Sequence, residues 1–313
     1  MKTLSLVHHE LRAFAETLPV PKLDAEQLTL RRQTPPVYPA TPDVPNVSVE
    51  ERRIPGPEGA PDVRVLVYRP TDAAGPMAGI LHAHGGGYVM GEPEMSDGSN
   101  RLLAAALKAV IVSVDYRLPP EHPFPAPMED CYAGLKWLHA EAAALGVDGA
   151  RIAVKGESAG GGLAAGLALL ARDRREVPLV FQCLTYPMID DRPAADPHPH
   201  TGEFVWTAAS NRFGWASYLG REPGGPDVSY YAAAARAPDL AGLPPAFILT
   251  GGLDLFLEEN LDYARRLSRA GVTTELIVYP GAFHGFQMAG DTTLSRRAEQ
   301  DVRQALAAGL ARR

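Results

Sequence analysis

Residues 151–165 read RIAVKGESAGGGLAA. A short apolar run, Arg151–Val154, passes through Gly156-Glu157-Ser158-Ala159-Gly160 into an Ala/Leu-rich stretch reaching residue 175. Glycines two residues either side of a serine, between strand and helix, form the signature of a nucleophile elbow. So sharp a turn holds its central residue in a strained backbone conformation, and the glycines let strand and helix close on each other. The Ser158 hydroxyl is then expected above the sheet edge, with the helix N-terminal amides aimed at whatever it attacks. Two other readings compete. One is a plain glycine-rich turn. The other is a dinucleotide loop, because Gly160, Gly162 and Ala165 fit a looser G-x-G-x-x-G/A spacing. Context disfavours the second: Gly160 falls inside the helix start, and the next strand ends without the expected acidic residue.

Outward from this stretch, β-rich runs recur at Val47–Ile54, Val63–Tyr68, Ala78–Ala83, Val110–Asp115, Leu179–Thr185, Ala246–Thr250 and Glu275–Tyr279. With Arg151–Val154 these make eight expected strands. The first two alternate in polarity and predict half-exposed strands near a sheet edge. GILHA, VIVSV, RIAV and AFILT are continuously apolar, as in a sheet covered on both faces. Helical spacing occupies 97–108, 127–145, 159–175, 258–270 and 292–311. Strand and helix in alternation predict an α/β fold with a mostly parallel eight-stranded sheet flanked by helices.

Two stretches depart from that rhythm. Residues 1–45 carry a loose apolar stripe (Leu6, Val7, Leu11, Phe14, Leu18) and then Pro19, Pro21, Pro35, Pro36, Pro39, Pro42 and Pro45, which forbid long regular elements. This segment is expected to lie over the body of the protein, which occupies 46–313. Residues 187–235 are rich in proline, glycine and aromatics (Phe204, Trp206, Phe213, Trp215, Tyr218) and are expected to form an insertion packing with the N-terminal cover.

Composition narrows the function class. The 313 residues carry 30 Lys+Arg against 37 Asp+Glu, a formal charge of −7, with no basic run. That disfavours nucleic acid as a partner. No apolar stretch reaches membrane-spanning length, and the N-terminal run breaks at His8-His9-Glu10, too short and polar for a signal peptide. The cysteines, Cys131 and Cys183, are too few for a disulfide framework and are expected as reduced core thiols. A cytoplasmic location with no membrane contact is expected.

His84-Gly85-Gly86-Gly87 follows the Ala78–Ala83 strand. Consecutive glycines let main-chain N–H groups point inward unobstructed, as a developing oxyanion requires, and one such donor is worth ~3–4 kcal/mol of barrier. His82 and His84 share a strand face and form a weak metal alternative with no third ligand nearby. Phosphate binding is disfavoured because no Gly-Lys-Ser/Thr follows.

A serine needs a histidine to take its proton and a carboxylate to orient that histidine. Ala246–Thr250 runs into Gly251-Gly252-Leu253-Asp254, and Glu275–Tyr279 runs into Pro280-Gly281-Ala282-Phe283-His284. The order Ser158, Asp254, His284 is that of one known hydrolase architecture. Asp190, Asp191, Glu258 and Glu259 are weaker candidates for the acid. His139 reads as a boundary residue and His122 as structural, while His8, His9, His198 and His200 lack strand-end context.

With these motifs assembled, the chain resembles the hormone-sensitive-lipase-like (family IV) branch of the α/β-hydrolases over about residues 60–310. The resemblance rests on HAHGGGYVMG at 82–91, DYRLPPEHPFPAP at 115–127, GESAGGGLAA at 156–165, LAGLPPAFILTGGLD at 240–254 and VYPGAFHGF at 278–286. It implies an α/β-hydrolase fold with Ser158 as nucleophile, Asp254 as acid and His284 as base. It also implies an oxyanion hole from the amides of Gly86, Gly87 and Ala159, supported by His84, Gly85, Gly156, Glu157 and Gly160. The N-terminal segment and the 187–235 insertion would form a cap over the acyl and alcohol pockets. Glu157 replaces a usual Asp, Gly162 a common Asn and Pro119 a common Ala. Asp254-Leu255-Phe256-Leu257-Glu258-Glu259 replaces the usual Asp-Pro-Leu-Arg-Asp-Glu.

The expected activity is hydrolysis of short- to medium-chain carboxylic esters through an acyl-enzyme on Ser158, without metal or organic cofactor. A histidine acts as base only when neutral, so activity is expected to rise with pH across about 6–7. Amide or lactone hydrolysis by the same residues is the alternative chemistry. A non-catalytic small-ligand receptor on the same fold is a third reading, disfavoured because no catalytic group is missing. Family members are often dimers, so a homodimer is a further expectation.

Overall fold

The eight runs pair into one sheet, in the order β1-β2-β4-β3-β5-β6-β7-β8, in a computed structural model describing residues 2–19, 22–34, 38, 41–194 and 197–311. Pro21, Pro35, Pro36 and Pro39 of the proline-rich reading, and residues 195–196 of the insertion, lie outside the described residues. The strands are β1 (Val47–Ile54), β2 (Val63–Pro70), β3 (Met77–Ala83), β4 (Ala109–Asp115), β5 (Val147–Glu157), β6 (Phe181–Thr185), β7 (Ala246–Gly251) and β8 (Thr274–Tyr279). β2 runs antiparallel to β1 and β4, and every other pair is parallel. The α/β-hydrolase architecture expected from the sequence is therefore the one observed.

The helices are α1 (Arg12–Thr17), α2 (Ala25–Gln33), α3 (Asp97–Leu107), α4 (Ala126–Ala140), α5 (Ala142–Leu145), α6 (Ala159–Arg174), α7 (Ala208–Leu219), α8 (Leu257–Arg269) and α9 (Thr293–Leu310). α4, α6 and α8 cover one face of the sheet, whereas α3 and α9 cover the other. Period-two alternation feeds both cores: Val110, Val112 and Val114 of β4 point to the first, Ala109 and Ile111 to the second. This two-sided cover explains why the central strands are apolar throughout.

Three expectations need correction. β2 is not half-exposed: Val65, Leu66, Val67 and Tyr68 are all buried, because β2 lies between β1 and β4 and β1 forms the edge on that side. The helix expected over 127–145 is two helices, broken at Glu141, and α5 ends on Gly146 in the left-handed conformation. The N-terminal proline-rich stretch contains a nine-residue helix, α2, whose N-cap Asp24 accepts a hydrogen bond from the Gln27 amide at 2.9 Å. Asp followed three residues later by Gln is a capping-box pattern, so the signal was present.

The N-terminal segment lies against both cores. Val7, Leu11 and Ala15 are buried on the α3/α9 side, Leu23 and Leu28 on the other, while Leu6 stays exposed. The amides of Lys2 and Thr3 donate to the Glu203 carboxylate within the insertion. In that insertion Trp215 and Tyr218 of α7 are buried, with Tyr218 stacked on Tyr88 at 4.0 Å. Among the described residues no helix is long and apolar enough to cross a membrane. Cys131 and Cys183 are buried free thiols, and burial pushes the Cys183 thiol up to about 12.

Candidate active site

Ser158 stands between the end of β5 and the start of α6 with φ 56° and ψ −122°, a conformation that costs about 1–3 kcal/mol unless its surroundings impose it. The surroundings do. Its amide donates to Thr185 O at 2.9 Å, and its carbonyl accepts from the Gly162 and Met188 amides at 3.0 Å each. A Cβ on Gly156 would sit 2.1 Å from Gly160 O, and one on Gly160 would sit 2.0 Å from Ala83 O. Backbone meets backbone at both points, so only glycine fits. Gly162 has a similar reason: a Cβ there would lie 2.1 Å from the Tyr88 hydroxyl, which donates to Met188 O.

Asp254 follows β7 and His284 follows β8, and their loops are laced together. Leu253 N donates to Ala282 O and Gly252 N to Tyr279 O, both at 2.8 Å. Asp254 Oδ2 accepts from His284 Nδ1 at 2.9 Å, and its Oδ1 accepts from Phe256 N at 2.9 Å. A carboxylate only accepts, so Nδ1 carries the ring proton and Nε2 is left as an acceptor. Ser158 Oγ therefore donates to His284 Nε2, at 2.8 Å. Asp254 is fully buried, and the Tyr186 and Phe256 rings meet the imidazole edge-on at 4.7 and 5.0 Å. The structure thus brings together the three side chains that the sequence singled out.

The weaker acid candidates are engaged elsewhere. Asp190 pairs with Arg192, and Asp191 with Arg236 and the Gly224 amide. Glu259 accepts from the Ile189 amide at 2.8 Å, and burial pushes its carboxyl up. Glu258 is exposed on α8.

The glycine loop after β3 lies beside the elbow: a Cβ on Gly85 would be 3.1 Å from Glu157 O and 3.5 Å from Ser158 Cβ. Gly86 and Gly87 have φ of 122° and 61°, and a Cβ on Gly86 would lie 1.9 Å from Met90 O. Among the described residues, no acceptor takes the amides of Gly86, Gly87 or Ala159. His84 shapes this loop. Its Nδ1 donates to Gly85 O at 2.8 Å, and its ring stacks on Tyr116 at 4.2 Å. Burial lowers its pKa to about 4, which keeps the ring neutral.

His82 is not placed as a metal ligand. Its Nε2 faces Glu157 Oε2 at 2.9 Å and its Nδ1 faces Ser113 Oγ at 2.8 Å. The other Glu157 oxygen accepts from Lys155. Burial pushes the Glu157 carboxyl up, but Lys155 and His82 outweigh it and hold it well below the usual carboxylate range. Lys155 and His82 were not singled out for this contact, and nothing in local spacing announces it. Trp206, named in the sequence only as an aromatic of the insertion, lays its ring across Gly87 so closely that a Cβ there would be 2.1 Å from it. Gly214 of α7 approaches the same loop, where a Cβ would stand 2.8 Å from Gly87 O.

Comparison with known proteins identifies the fold and its family. A family model described as the α/β-hydrolase fold matches residues 80–288. The carboxylesterase NlhH of Mycobacterium tuberculosis is 37% identical over 288 residues, covering 88% of this chain and 87% of that protein. A solved bacterial heroin esterase superposes with a TM-score of 0.90 at 38% identity, covering 99% of this chain and all of that one. Esterase LipW of Mycobacterium marinum superposes with a TM-score of 0.85 at 33% identity, covering 99% and 98%. The chain belongs to the α/β-hydrolase family, in its hormone-sensitive-lipase-like branch.

Proposed function

We propose that Ser158, His284 and Asp254 carry out acyl transfer from short- to medium-chain carboxylic esters, with the amides of Gly86, Gly87 and Ala159 receiving the oxyanion. The chain is a carboxylic ester hydrolase. His284 Nε2 takes the Ser158 proton as Oγ adds to the ester carbonyl, whose oxygen gains negative charge against the three amides. The intermediate collapses, the C–O bond to the alcohol breaks, and His284 returns its proton to the departing oxygen. Water then adds to the acyl-enzyme by the same proton route and releases the acid. Asp254 holds the imidazole tautomer and stabilises the imidazolium. The supporting observation is the unbroken hydrogen-bond line Ser158–His284–Asp254 at 2.8 and 2.9 Å beside three free amides.

In this reading, residues 1–45 and 187–235 cap a catalytic body of 46–313. The packing of Trp206 on Gly87 and of Trp215 on Tyr88, with Leu28 buried in the same core as Val89, supports it. The small-molecule ester is the one partner proposed from chemistry. A cytoplasmic location is part of the same proposal, and cell fractionation tests it. The homodimer rests on family resemblance, and light scattering tests it.

Turnover of p-nitrophenyl esters from acetyl to palmitoyl tests the proposal, with Ser158→Ala as control. Activity peaking at short chains and lost in the variant is expected. A folded wild type that turns over no ester would move the reading to amides and lactones.

A further inference from the structure

We propose that Arg32, on helix α2 of the N-terminal segment, is a positioning residue that holds the Gly86–Gly87 loop in shape for catalysis. The inference rests on reading those two amides as oxyanion donors. A guanidinium has five N–H donors in a rigid fork. Here all three nitrogens are engaged. Nε and one Nη2 proton go to Val89 O at 3.0 and 2.5 Å, and the other Nη2 proton to Pro119 O at 2.6 Å. Nη1 donates to the Glu121 carboxylate, lying 2.7 and 2.8 Å from its two oxygens.

One carbonyl it grips belongs to the glycine turn itself, the other to the loop after β4 that packs against it. Val89 and Met90 donate their amides to Gly86 O at 3.2 and 3.1 Å, so fixing the Val89 peptide fixes the turn containing Gly86 and Gly87. Pro119 lies in the loop after β4, whose Tyr116 donates to His84 O at 2.8 Å and stacks on the His84 ring. Arg32 is brought there by α2, which buries Leu28 in the same core as Tyr88 and Val89. Glu121 is more than half exposed, so it serves as an outer anchor and contributes less than the two carbonyl contacts. The N-terminal segment thus reaches past covering the site: through one side chain it sets the geometry of the proposed oxyanion donors. A loop with unsupported φ of 122° and 61° would relax, and donors that must be placed before the reaction would then be placed at its expense.

The test is Arg32→Ala in the full chain, read three ways. On p-nitrophenyl butyrate, kcat is expected to fall about tenfold with KM changed less than about twofold. The inhibition constant of an alkyl trifluoromethyl ketone, whose adduct places an oxyanion in the same site, should rise by about the same tenfold factor. Amide hydrogen exchange across residues 85–91 should accelerate while exchange across α6 stays unchanged. Arg32→Lys should recover only part of each effect, because one ammonium cannot span two carbonyls. Glu121→Gln provides a graded version should Arg32→Ala fail to fold: the same pattern, about two- to threefold in kcat. A rise in KM with kcat and ketone affinity retained would overturn the proposal, leaving α2 a role in substrate access alone. So would unchanged exchange at 85–91. If the ketone fails to inhibit wild type, the oxyanion reading itself falls; if it inhibits wild type and Arg32→Ala equally, only the Arg32 proposal does.

Discussion

The floor and the roof of the site are held by different kinds of contact. On the floor, the elbow and the glycine loop are fixed by backbone against backbone: Gly160 on Ala83 O, Gly156 on Gly160 O, Gly86 on Met90 O. In the proposed roof, the described residues of 2–34 and 187–235 are held mainly by side chains, among them Arg32 on Val89 O, Glu203 on the Lys2 and Thr3 amides, and Trp206 across Gly87, with a few main-chain contacts such as His8 N on Gly281 O and Met188 N on Ser158 O. A backbone contact tolerates no side chain, so it fixes residue type at a set spacing. A side-chain contact can be made by many residues from many places. The floor should therefore fail abruptly under small changes, and the roof should yield gradually and alter selectivity.

The largest expected effect is on the floor's chemistry. Asp254→Asn leaves shape intact but no longer requires the proton on His284 Nδ1, and kcat should fall ~10⁴-fold. Steady-state kinetics at fixed pH checks it, and retention of most activity would remove Asp254 from its role. Next comes Gly160→Ala, one added methyl that would stand 2.0 Å from a main-chain oxygen. A destabilisation of ~4 kcal/mol or more is expected in denaturant titration. Mild behaviour there would break the contrast between floor and roof.

Trp206→Ala tests the roof. Truncating a buried tryptophan costs ~3 kcal/mol, leaves the floor assembled, and opens space beside Gly87. The p-nitrophenyl ester preference should move toward longer acyl chains with kcat on acetate reduced less than about tenfold. The smallest effect concerns pH. Burial lowers the pKa of both His82 and His84, the latter to about 4. Below about pH 6.5 the unfolded chain takes up protons that the folded chain refuses, so stability falls with falling pH until the folded values are reached. His84→Gln should remove ~1 kcal/mol per pH unit from that slope between pH 6 and 4.5, measured by denaturant midpoints across pH.

The same contrast explains what was legible in the sequence. Ser158, Asp254, His284 and the glycine loop were readable because each follows a strand, and the elbow's steric demand writes glycine at 156 and 160. The central strands were readable because a strand covered on both faces must be apolar throughout, and β1 was readable by its alternation. β2 misled because alternating VRVLVYR resembles an edge strand, whereas its neighbours β1 and β4 bury it. Helix α2 was hidden among prolines although Asp24 and Gln27 marked its start. Arg32, Lys155, His82 and Trp206 were illegible as site residues. Each acts across 57 or more positions or through a shape that only the assembled sheet creates, apart from the two-residue step from Lys155 to Glu157.

The central claim is that ester hydrolysis proceeds through an acyl group on Ser158. Its most direct test is stoichiometric labelling with an alkyl fluorophosphonate, followed by intact-mass measurement and peptide mapping. One adduct per chain on the peptide containing Ser158, with parallel loss of ester turnover and no adduct in Ser158→Ala, is the expected result. Full esterase activity in a chain labelled at Ser158, or a labelled and active Ser158→Ala variant, would contradict it.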